Sequence, residues 1–81
     1  MKHALFILLL ICQFAVGQSA FEKGNELYRK EQYESAVAAY ESVLKTNKHS
    51  AELYFNLGNA YYKLNRVAPA IYNFEKALLL N

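Results

Sequence analysis

The side chains able to do chemistry in this 81-residue chain are few and scattered. They are seven carboxylates, all glutamate, two histidines, one cysteine, and lysines and arginines that leave a net charge of +2. His49 stands apart from any cysteine or acidic cluster, so it cannot complete a metal site by itself. Cys12 has no partner in the chain with which to form a disulfide, a thiolate metal site or a redox pair. There is no glycine-rich phosphate loop, no H-E-x-x-H and no nucleophile motif. The carboxylates are spread along helix faces and spaced for pairing with bases, as at Glu26 with Lys30 and Glu41 with Lys45, each four residues apart. Catalysis is therefore not expected, nor is a cofactor. The near balance of charge provides no basic tail for nucleic acid and no polybasic membrane patch. What remains is side chains suited to contact. Asparagine offers both a donor and an acceptor, arginine and lysine attract acidic groups, and tyrosine presents a flat ring with a polar tip.

The elements that must carry these groups read as helices throughout, because no segment alternates with the period of two that a strand requires. Ser19 with Glu22 has the S-x-x-E spacing of a capping box and opens a helix expected from Ala20 to Lys30. A short turn at Glu31-Gln32 leads to a second helix, Tyr33 to Thr46, whose Ala36, Val37, Tyr40, Val43 and Leu44 form one apolar stripe. Asn47 to Ser50 is a loop, with Ser50 as the cap of a third helix that ends at Leu64, where Asn65 can turn left-handed. A fourth helix starts near Val67 with Pro69 in its first turn and buries Ala70, Ile71, Phe74, Ala77 and Leu78.

These helices come in two copies. Gly24 returns as Gly58, Asn25 as Asn59, Tyr28 as Tyr62, Ala36 as Ala70, Tyr40 as Phe74 and Leu44 as Leu78, always 34 residues later. Such a period marks one supersecondary unit repeated in tandem. Small residues are expected to meet within each unit, Gly24 facing Ala36 and Gly58 facing Ala70, so that the helices approach closely.

Before the repeats, Lys2 and His3 precede an apolar run from Ala4 to Val16 broken only by Gln13. At 1.5 Å per residue the run spans roughly 20 Å, short of the roughly 30 Å of a bilayer core. With small residues at Ala15 and Gly17 it fits a secretory signal peptide. Residues 1–17 are thus expected to be a leader. Cleavage after Gly17 leaves Gln18 first; cleavage after Ala20 is the competing site, and retention as an anchor helix is the alternative to cleavage.

The repeat resembles the tetratricopeptide repeat (TPR). Tyr54, Leu57, Gly58, Tyr61, Ala70, Phe74 and Ala77 follow its pattern in the second copy; Gly24, Ala36 and Tyr40 follow it in the first, with Leu27 and Val43 at further positions. The first copy departs at Ala20, Lys23 and Lys48. The resemblance implies an all-α fold, an α-solenoid of two helix-turn-helix units after the signal segment, with repeat one at 18–50 and repeat two at 51–81. It also implies a concave groove that binds a protein or peptide, lined by Phe21, Asn25, Tyr28, Arg29, Phe55, Asn56, Asn59, Tyr62 and Lys63. Chaperone-binding members hold a terminal carboxylate with asparagines and basic residues from three repeats. Asn25 and Asn56 match the asparagines, but Phe21 stands where those members place a lysine. A spacer or self-association role within a larger envelope protein is the alternative to peptide binding.

The leader followed by F-E-K-G-N-E-L-Y and A-E-L-Y-F-N-L-G-N-A-Y-Y-K-L also resembles the exported repeat proteins encoded in bacterial aerotolerance (Bat) operons. That likeness implies a periplasmic or envelope location. Because the pattern calls for proline and another helix after Asn81, the 81 residues are expected to be the first part of a longer array. Membrane contact is expected only through the leader or through later segments, and burial of the uncovered stripe in a homo-oligomer is the other resolution.

Overall fold

The computed structural model describes residues 19–81; the expected leader, residues 1–17, lies outside them. Four helices follow one another: α1 (Ala20–Arg29), α2 (Tyr33–Lys45), α3 (Ala51–Lys63) and α4 (Val67–Leu80). No strand occurs among the described residues, and no helix there is long and apolar enough to cross a membrane.

Local chemistry sets the boundaries. Ser19 accepts a hydrogen bond from the Glu22 amide and Ser50 from the Leu53 amide, so each first helix of a pair starts on a hydroxyl that satisfies an orphan donor. Both first helices stop by one device. Glu31 and Asn65 take positive φ, and the next amides, of Gln32 and Arg66, reach back to the carbonyls of Leu27 and Tyr61. These six-to-one bonds define Schellman motifs, in which a left-handed residue just past the helix satisfies its last carbonyls. Asn65 was foreseeable as such a residue. Glu31 was not, since its side chain has no special tolerance for that conformation. Asn47 adopts positive φ as well, after α2.

α1 packs antiparallel on α2, and α3 on α4; α3 then lies against α2, nesting the second hairpin on the first. The core forms at that junction, from Ala36, Val37 and Tyr40 of α2 and Leu53, Leu57 and Ala60 of α3. Leu27, Val43, Leu44, Tyr61 and Leu64 pack around it half-buried.

The structure revises the expected small-residue contacts. A Cβ added at Gly24 would come within 2.5–3.0 Å of three Tyr40 ring atoms; at Gly58 it would come within 2.7 Å of the Phe74 ring and 3.2 Å of the Ala70 carbonyl oxygen. Each glycine thus makes room mainly for an aromatic ring one turn beyond the alanine, because the ring is what fills the gap between the paired helices. Two further expectations change. Glu41 does not pair with Lys45; it accepts a hydrogen bond from the Tyr61 hydroxyl at 2.9 Å, across the repeat junction. On α4, Ala70 and Ala77 are buried and Phe74 half-buried, but Ile71 and Leu78 are exposed. Only the inner edge of that stripe meets α3. Glu26 and Lys30 do pair, at 3.3 Å.

Candidate functional site

α1 and α3 lie side by side on one face of the molecule, and the polar groups between them converge on Asn25. Its Oδ1 accepts hydrogen bonds from the Tyr40 hydroxyl and from Asn56 Nδ2, the latter at 3.0 Å. One carboxamide therefore ties α1 to its own hairpin partner α2 and to α3 of the next repeat. With its oxygen doubly engaged, the Asn25 carboxamide is held in one orientation and its NH2 group remains a donor.

A recess of about 160 Å³ opens at this point, lined by Asn25, Tyr28, Arg29, Tyr40, Asn56 and Asn59. Asn59 makes no side-chain hydrogen bond among the described residues, so its amide is available to a ligand. Arg29 is exposed at the rim and supplies the positive charge. Burial pushes the Tyr40 phenol above its ordinary value of 10.0, and neighbouring Tyr28 pushes it the same way; the Asn56 side chain and Arg29 oppose them. The phenol is thus a neutral donor at physiological pH. The arrangement has no nucleophile, and no group of three potential metal ligands exists among the described residues. It can hold carbonyl or carboxyl oxygens by hydrogen bonding.

Of the nine groove positions read from the sequence, Asn25, Tyr28, Arg29, Asn56 and Asn59 meet in this recess. Tyr28 also packs edge-on against Tyr33, with ring centroids 5.2 Å apart, so part of its area is spent on the fold. The other four sit elsewhere. Phe21 tilts against Tyr40 at 6.0 Å and faces a hollow shared with Val43 and the loop before α3. Phe55 leans on Phe74 at 5.8 Å in an apolar cavity at the outer side of the second hairpin. Tyr62 and Lys63 are exposed at the end of α3 and do not line the recess. Tyr40 is the lining residue that sequence reasoning placed only in the core. The repeat offered a signal, since the equivalent residue is Phe74, and a hydroxyl present in one copy alone has to be satisfied.

His49, expected as a plain loop residue, shares a 2.6 Å hydrogen bond with the Tyr54 hydroxyl and stacks obliquely on that ring. It clasps the inter-repeat loop to α3. On the far side of the junction, Arg66 bonds Glu34. Both partners are well exposed, so the pair contributes little, on the order of 0–1 kcal/mol.

Two nested helical hairpins with a polar recess along their first helices define a helical-repeat protein. The family model described as TPR repeat matches residues 24–65, and one described as tetratricopeptide repeat matches residues 51–81. The chain belongs to the tetratricopeptide-repeat family. Similar proteins include Hsp70-Hsp90 organizing protein 1 of Glycine max, 32% identical over 66 residues, which are 82% of this chain and 12% of that protein. Sperm-associated antigen 1 of Rattus norvegicus is 31% identical over 79% of this chain and 7% of its own length. Dynein axonemal assembly factor 4 of the same species is 36% identical over 73% and 14% respectively. The chain thus spans a small fraction of each relative, and what is shared is the repeat.

Proposed function

We propose that the chain is an exported scaffold whose α1–α3 face binds an extended segment of a partner protein. The observation that carries this reading is the doubly bonded Asn25, which holds donors ready at a recess bridging two repeats. Preorganised donors lower the entropy a ligand must lose on binding. Asn25, Asn56 and Asn59 would hold main-chain carbonyls of the segment, with Arg29 attracting an acidic group near it. Tyr62 and Lys63, further along α3, would extend the contact. Family membership supports interaction with protein over catalysis, and the names of the relatives, a chaperone organizing protein and an assembly factor, fit that class.

Export is part of the same proposal. It rests on the basic start, the short apolar run and the small residues of positions 1–17, and the likeness to aerotolerance-operon proteins supports a periplasmic or envelope location. The reading is tested by replacing Arg29 and Asn59 with alanine together and measuring capture of the partner alongside helix content by circular dichroism. Reduced capture at unchanged helix content is expected. Unchanged capture would favour the second reading, a spacer or self-association module without a peptide ligand, toward which the exposure of Ile71 and Leu78 points.

A further inference from the structure

A second concavity lies beside the recess at the junction of the two hairpins. It has a volume of about 490 Å³ and is lined by Phe21, Val43 and Leu53 together with Glu52 and the loop 47–50. Phe21 precedes Asn25 by four residues on α1, and Leu53 precedes Asn56 by three on α3. The hollow is thus one helical turn nearer the N-termini of both helices than the recess. Its walls are α1, the end of α2 and the start of α3, so it belongs to the completed junction between hairpins. Its loop side is held in place, because His49 is bonded to the Tyr54 hydroxyl and Ser50 accepts from the Leu53 amide. Phe21 leans on Tyr40, whose hydroxyl donates to Asn25, so one aromatic contact joins the two concavities.

The two concavities differ in chemistry. Phe21, Val43 and Leu53 give the hollow an apolar lining, and the exposed Lys48 and Glu52 at its rim carry opposite charges, so it favours a large apolar side chain. The recess, with the exposed Arg29 and the amides of Asn25 and Asn59, favours a carboxylate. Their offset matches an extended chain. Four residues of helix rise about 6 Å, and two residues of an extended chain cover about 6.6 Å. Side chains two positions apart in such a chain point to the same side, so one can enter the hollow while the other enters the recess. We infer that the α1–α3 face selects an internal segment of its partner that carries a large apolar residue and an acidic residue two positions apart. This deepens the groove reading and rests on it. The acidic side chain supplies the carboxylate, so the segment need not be a chain end. Residues 1–17 of the chain itself do not meet the requirement, since they contain no acidic residue.

The test titrates the full chain into fluorescein-labelled peptides with blocked ends and reads anisotropy. Each peptide has a glycine-serine background with one leucine and one aspartate two positions apart, and both orders are made. Saturable one-to-one binding is expected for at least one order. It should weaken at least about tenfold when the leucine is changed to serine, because the few apolar anchors of such contacts carry most of the affinity. A similar loss is expected when one residue is inserted between the pair, which turns the two side chains to opposite sides. Phe21→Lys, checked for helix content by circular dichroism, should bind the leucine and serine peptides alike. Arg29→Ala should keep the preference for leucine and lose the preference for aspartate over asparagine. The peptide variants test the same points on an unaltered chain. Binding indifferent to leucine and to spacing would overturn the inference and leave groove binding in place. So would tighter binding of peptides with a free terminal carboxylate and no leucine. Failure of every peptide would overturn it as well; groove binding then stands or falls separately, on partner capture by the Arg29, Asn59 double variant.

Discussion

At Tyr40 an aromatic ring closes over Gly24 while its hydroxyl donates to Asn25, so one residue joins packing to the recess. The ring is fully buried and cannot swing aside to admit a new methyl group. Gly24→Ala is therefore expected to cost about 1–3 kcal/mol by overpacking, and Gly58→Leu a similar amount against Phe74 and the Ala70 carbonyl. Thermal unfolding checks both. A drop of about 4–8 °C per kcal/mol is expected for a domain of this size, and an unchanged melting temperature would contradict the ring-on-glycine contact. The Tyr40 and Tyr61 hydroxyls add a pH dependence. Burial raises both pKa values above 10.0, with Tyr28 adding to the shift at Tyr40 and Glu41 at Tyr61. The folded chain then holds phenolic protons that the unfolded chain releases, so their contribution is complete below about pH 10 and is lost as pH rises further. The double variant Tyr40→Phe, Tyr61→Phe should lose stability at neutral pH and show a shallower alkaline decline in a denaturant midpoint series.

Among the elements, the helices were legible in the sequence nearly to their ends, because the signals that define them are local. Ser19 and Ser50 cap, Asn65 turns left-handed, and the 3–4 spacing of Ala36, Val37 and Tyr40 marks the buried face. Contacts between elements were less legible. Periodicity reports which face is buried but not which side chain on the opposing helix meets it. For that reason Glu41 was assigned to Lys45 on its own helix when its partner is Tyr61 on α3. Asn73 is another case. It interrupts the apolar stripe of α4, yet it is only 4% exposed because its Nδ2 donates to the Pro69 carbonyl one turn back, at 2.7 Å. Of the recess, the asparagines were named only through the resemblance to the repeat family, and the third dimension that keeps Tyr62 and Lys63 out of it was not legible at all. The caps themselves are testable. Ser50→Ala should destabilise the chain by about 1 kcal/mol, and Asn65→Val, forcing a β-branched residue into positive φ, by about 1–2 kcal/mol; urea unfolding measures each.

For the molecule as a whole, the decisive feature is the nesting of one hairpin on the other. It builds the core from α2 and α3 and brings α1 and α3 together as a single polar face. A single hairpin would bury too little apolar surface to hold its shape, as is general for repeat units. The most direct test is a double-mutant cycle between Asn25→Ala on α1 and Asn56→Ala on α3, read by urea unfolding. Contact across the repeat junction predicts a coupling energy of about 0.5–1.5 kcal/mol. Additivity within about 0.3 kcal/mol would mean the two carboxamides do not meet, and would contradict both the nesting and the recess built upon it.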